Sequence, residues 1–78
     1  MQTAEVEAVL IEEFKQVLKI DDVDRHSNFF VCGGDSLMAI ELTDRLATRF
    51  GVECDLDEIP IWSGISEIAE WLVSLLPV

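Results

Sequence analysis

Residues 28–42 read NFFVCGGDSLMAIEL. An aromatic pair, Phe29 and Phe30, leads into a double glycine, Gly33 and Gly34. Asp35 and Ser36 follow, and from there the apolar spacing becomes helical. The stretch therefore marks where an irregular segment turns into a helix. Downstream, SLMAIELTDRLATRF places Ala39, Leu42, Leu46 and Phe50 three or four residues apart, one buried stripe of a helix that Gly51 ends as its C′ residue. Leu37, Ile40 and Asp44 fall on a different, exposed side of it.

Working outward, TAEVEAVLIEEFKQVLKI repeats apolar residues at Val6, Val9, Leu10, Phe14, Val17 and Leu18, again one helical face. Thr3 is the expected N-cap. Glu5 and Glu7 suit the positive end of the helix, Lys15 and Lys19 the negative end. The long polar connection DDVDRHSNFFVCGGD has Val23, Phe29 and Phe30 as anchors, and long connections of this kind are usually functional. Toward the C-terminus, DLDEIPI predicts one short helical turn broken at Pro60. GISEIAEWLVSLL predicts a last helix, capped by Ser63, facing inward with Ile65, Ile68, Ala69, Leu72 and Leu76, and stopped by Pro77. No strand pair emerges. We expect one all-α domain over residues 1–78: a bundle of three main helices plus a short one.

Composition narrows the function. A chain of 78 residues buries a modest core, which disfavours a deep catalytic cleft built from several loops. Sixteen acidic against five basic residues give a net charge of −11, which repels nucleic acid and anionic membrane surfaces and favours partners with basic patches. Plain solubility is the simpler reading of the same charge. Cys32, Cys54 and the single His26 lack the spacing of a metal site. We expect the cysteines to pack as small apolar side chains, and His26 to sit on the loop surface. No signal peptide or membrane-length apolar run occurs, so a cytoplasmic protein with reduced thiols is expected. A starting methionine and the lack of linker composition lead us to expect a stand-alone domain.

Three readings compete for Ser36. G-D-S-L is also an esterase signature, but a serine nucleophile needs a base, and His26 lies ten residues upstream with no histidine after it. The nucleophile elbow G-x-S-x-G is missing as well. The second reading is an ordinary helix start, with Asp35 or Ser36 binding free N–H groups. The third uses the same physics. A helix N-terminus suits a phosphate, and an exposed serine on a glycine turn can bear a phosphodiester without strain.

At this point the stretch resembles the attachment motif of carrier proteins, most closely the peptidyl carrier domains of nonribosomal peptide synthesis. The resemblance covers nearly the whole chain. It implies a four-helix bundle of acyl-carrier type with a long first loop and a short third helix. It implies that Ser36 receives 4′-phosphopantetheine from coenzyme A through a separate Mg²⁺-dependent phosphopantetheinyl transferase, with Asp35 beside the phosphate. Leu37 and Ile40, with Glu41 and Asp44 adding charge, are the positions it implies for partner contact. Those partners are the transferase, an adenylation or other loading enzyme, and condensation, ketosynthase, tailoring or thioesterase enzymes. The chain would be a monomeric carrier and not an enzyme. An acyl carrier of polyketide or fatty acid synthesis is the alternative, and a small helical interaction domain without cofactor is an alternative of another class. This chain departs from the family at Ser27, at Val31 and Cys32, at Pro60, and at Ser63 and Gly64, which puts the short helix and its contacts in doubt.

Overall fold

In the computed structural model, which describes residues 2–76, three helices carry the fold: α1, Thr3–Leu18; α2, Ser36–Phe50; α3, Ile65–Leu75. α1 packs against both α2 and α3. Its inner stripe of Val6, Leu10, Phe14 and Val17 meets Ala39, Leu42 and Leu46 of α2 and Ile65, Ile68, Ala69 and Leu72 of α3. Each valine, leucine, isoleucine or phenylalanine among them, taken fully out of water, contributes about 1.5–3 kcal/mol before entropy is counted. Val9, Phe50 and Leu76, expected inside, are only partly buried, because each lies at the border of its stripe or at a helix end.

The stripe on α1 includes a charge. Glu13 is buried among apolar neighbours, where its carboxylate meets two cations across the helix pair. Arg45 of α2 donates through Nε to Glu13 Oε2, and Arg49 through Nη1 to Oε1 at 3.0 Å. Gln16 accepts a further bond from Arg45. A carboxylate out of water is tolerable only with such partners.

The helix ends differ in part from expectation. The N-cap of α1 is Gln2, not Thr3, which is already helical. The Gln2 N–H is held by the Glu5 carboxylate at 3.2 Å, so the reach of Glu5 decides the boundary. α1 ends at Lys19, which adopts the left-handed conformation (φ 57°) without a glycine. α2 ends as expected at Gly51, φ 68°.

The short helix expected near DLDEIPI is a single turn, in which the N–H groups of Glu58 and Ile59 both bond to the Asp55 carbonyl (2.9 and 3.0 Å). Pro60 has no N–H to extend it and restricts the residue before it. Ile59 and Ile61 drop into the core on either side of the proline.

Ser63 does not cap α3; the N-cap is Gly64. The N–H groups of Ile65 and Ser66 bond instead to the carbonyls of Ser27 (3.1 Å) and Arg25 (2.9 Å) in the first loop. Asn28 and Gly64 form an isolated antiparallel bridge at the same seam. The loop is tied to α1 as well, through a two-pronged contact of Arg25 with Glu7 at 3.1 and 3.0 Å. Bonding to Glu7 raises the Arg25 pKa further above its ordinary value. The expected helix stop at Pro77 lies outside the described residues.

Candidate functional site

The first loop and the start of α2 form one hydrogen-bonded unit. Asn28 opens it: its Oδ1 accepts from the N–H groups of Phe30 (2.9 Å) and Val31 (3.1 Å), and its carbonyl accepts from Cys32. Phe29 turns inward and is fully buried, edge-on to Phe14 with ring centroids 5.2 Å apart. The chain then reverses over this ring. Gly33 takes φ 103°, a conformation that side chains resist, and the Gly34 N–H bonds back to the Phe29 carbonyl at 2.9 Å. At Gly34 a Cβ would collide with the Phe29 ring and come within 2.8 Å of its carbonyl oxygen. The two glycines therefore do different work: one permits the turn, the other leaves room for the aromatic beneath it.

Asp35 follows in extended backbone and caps α2, its Oδ1 accepting from the Met38 N–H at 2.9 Å. Ser36 is the first helical residue and is exposed. Of the two candidate caps the aspartate is the one that bonds, and the serine faces solvent. Ser36, Leu37, Ile40, Glu41 and Asp44 share one side of α2, since residues three and four apart are helix neighbours. All five are exposed, Leu37 by 78% and Ile40 by 47%. Ala39, Leu42 and Leu46 face the core, and Met38 is partly buried against it.

Two features were not read from the sequence. Phe30 is an anchor, but half its work is outside the core: its ring stacks on Trp62, centroids 4.1 Å apart and planes 21° from parallel. The Asn28 amide also donates to the Trp62 carbonyl. An asparagine before an aromatic pair was the available signal. His26 lies exposed on the loop, as expected. Cys32 and Cys54 are unpaired and partly buried against the core, and burial pushes the Cys54 thiol up. Among the described residues, no helix is long and apolar enough to cross a membrane.

This arrangement, an exposed serine on a glycine turn at a capped helix start, lies inside the region that a family model described as "Phosphopantetheine attachment site" matches, residues 8–72. The chain belongs to that family. This phosphopantetheine-attachment domain is 33% identical over 73 residues to malpibaldin synthetase of Mortierella alpina, covering 94% of this chain and 1% of that protein. It is 28% identical over 75 residues to the polyketide synthase PksN of Bacillus subtilis (strain 168), covering 96% of this chain and 1% of that one. The attachment domain thus spans about 1% of the length of these relatives. Among solved structures it is similar to a chain in the complex of the phosphopantetheine transferase Sfp with coenzyme A and a peptidyl carrier protein. The TM-score is 0.81 at 26% identity, over 88% of this chain and 90% of that one. The likeness bears out the all-helical, acyl-carrier-type fold expected from the sequence.

Proposed function

We propose that Ser36 bears 4′-phosphopantetheine and that the domain is a carrier of nonribosomal peptide synthesis. The observation that carries this reading is the exposure of Ser36 at the first helical position, directly after the Asp35 cap, within the family-matched region. The site suits the group. Helix geometry leaves the N–H groups of Ser36 and Leu37 without intrahelical acceptors, beside the positive end of α2, where a phosphodiester is stabilised. Asp35 spends its carboxylate on the Met38 N–H, so it holds the helix start while the serine hydroxyl stays free to react. In the attachment step the Ser36 Oγ bonds to the β-phosphorus of coenzyme A. Adenosine 3′,5′-bisphosphate leaves, and the serine proton passes to a base on the transferase. Once bound, the arm supplies a thiol on which an aminoacyl, peptidyl or acyl group is held as a thioester.

The domain then presents cargo and leaves bond making to its partners: a loading enzyme such as an adenylation domain, and condensation, tailoring or thioesterase enzymes. Leu37 and Ile40 are the contacts we assign to them, with Glu41 and Asp44 steering encounter. The unpaired thiols of Cys32 and Cys54 support a reducing, cytoplasmic setting. The similarity to PksN favours a second reading, a carrier of polyketide synthesis, which would hold acyl groups and meet a ketosynthase.

The test is an intact mass after incubation with coenzyme A, Mg²⁺ and a broad-specificity phosphopantetheinyl transferase. One phosphopantetheinyl group is expected on the natural chain and none on Ser36→Ala. No gain with several active transferases would leave a bare interaction domain. Loading the modified chain with amino acids against malonyl-type acyl groups separates the two carrier readings.

A further inference from the structure

We propose that the stacked pair Phe30–Trp62, with Val31 beside it, is a second anchor for the transferase, received by an apolar pocket with a basic rim on that enzyme. The proposal rests on Ser36 being the attachment point and extends the docking surface beyond α2. Trp62 is 75% exposed and Val31 84% exposed. Tryptophan is among the residues that dominate binding energy when buried at an interface, and an exposed one costs a domain apolar surface for no gain in its own core.

The platform is also held in place. Trp62 rests on Phe30, and the single side chain of Asn28 fixes both halves: its amide donates to the Trp62 carbonyl and its Oδ1 accepts from the N–H groups of Phe30 and Val31. Pre-ordered aromatic surface loses little entropy on binding. Phe30 in turn stands edge-on to Phe29, 5.7 Å between centroids, and the Phe29 ring fills the space beneath Gly34, two residues before Ser36. Side-chain contacts thus link the platform to the turn that carries Ser36.

Charge selects the occupant. The turn just before Trp62 exposes Asp55, Asp57 and Glu58, and three of the five basic residues, Arg25, Arg45 and Arg49, are already paired with Glu7 and Glu13. A second copy would bring the same negative charge to the contact, and an anionic lipid surface is repelled likewise. A basic rim around an apolar pocket complements the patch.

The experiment uses the full chain, coenzyme A and a broad-specificity transferase. Trp62→Ala should stay folded by circular dichroism and raise KM for the carrier by about tenfold with kcat within about twofold, whereas Trp62→Phe should recover most of the loss. In a Ser36→Ala, Trp71→Phe chain labelled with 5-fluorotryptophan, the single fluorine resonance should shift or broaden when transferase is added. An unchanged KM in folded Trp62→Ala, or a resonance that does not respond, overturns the anchor while leaving Ser36 modification intact. A loss confined to kcat assigns Trp62 to shaping the loop and overturns it too. A dimer that sedimentation detects in the natural chain and not in Trp62→Ala gives the patch to a second copy. A natural chain that accepts no arm at all overturns the Ser36 reading and this one with it.

Discussion

The ring of Phe29 fills the space into which any side chain on Gly34 would project. Gly34→Ala should therefore overpack the base of the attachment turn and cost about 1–3 kcal/mol in a urea melt. Phe29→Leu costs stability by itself, but it should relieve the clash. The double variant should then lose less than the two single losses added together. Simple additivity would show that the ring and the glycine do not contend for the same volume.

Ser36→Ala should leave the bundle standing, at a cost below about 1 kcal/mol, because the serine is exposed and Asp35 does the capping. Leu46 is fully buried, so Leu46→Ala should cost about 2–5 kcal/mol. Denaturant melts of the three chains compare them directly. A Ser36 variant as unstable as the Leu46 variant would make the serine structural.

Glu13→Gln should be costly although it preserves shape. It keeps the shape of the side chain but removes the anion that Arg45 and Arg49 share, and hydrogen bonds to charged groups are worth about 1.5–3 kcal/mol. Because the carboxylate is buried, the penalty should change little between low and high salt. A penalty that vanishes in salt would place the network on the surface.

Glu67 gives a dependence on pH. Its own backbone N–H, then the Ser66 hydroxyl, stabilise the ionised form and lower its pKa. A carboxyl with a depressed pKa in the folded state contributes stability above its unfolded pKa and loses it as pH falls through the folded one. The natural chain should thus outlast Glu67→Gln at neutral pH, and the gap should close below the ordinary carboxylate range. Melts of both chains across acidic pH read this; a constant gap would remove the carboxylate from the account.

On the exposed side of α2, Ile40→Asp should slow loading of the modified carrier strongly while circular dichroism stays unchanged. Glu41→Lys should slow it less, and its deficit should shrink as salt screens the contact. Initial loading rates at two salt concentrations measure both. Unaffected loading of a folded Ile40→Asp chain would move the docking face elsewhere.

The sequence made the helices legible because their information is local: α2 runs from Ser36 to Phe50 as its spacing and Gly51 require. The attachment turn was legible for the same reason, with Asp35 as cap and Ser36 exposed. What escaped depends on partners distant in the chain. Glu13 sat at a core position of α1, three residues after Leu10, yet only the approach of Arg45 and Arg49 makes a buried charge tolerable there. Ser63 looked like a cap, but the orphan donors of α3 are satisfied by carbonyls of the first loop, which no residue type announces. The piece at DLDEIPI is the single turn broken at Pro60 that its residues predict, and it does not lengthen into a fourth helix among the described residues.

That seam between the first loop and α3 has a consequence for divergence. Its bonds end on the carbonyl oxygens of Arg25 and Ser27, atoms that every amino acid possesses, so the side chains at these positions can drift without unfastening it. Gly64 has less freedom, since a Cβ there would lie a tight 3.2 Å from the His26 carbonyl oxygen. A joint secured by the main chain survives wide substitution, and constraint concentrates at the one position where a side chain would intrude.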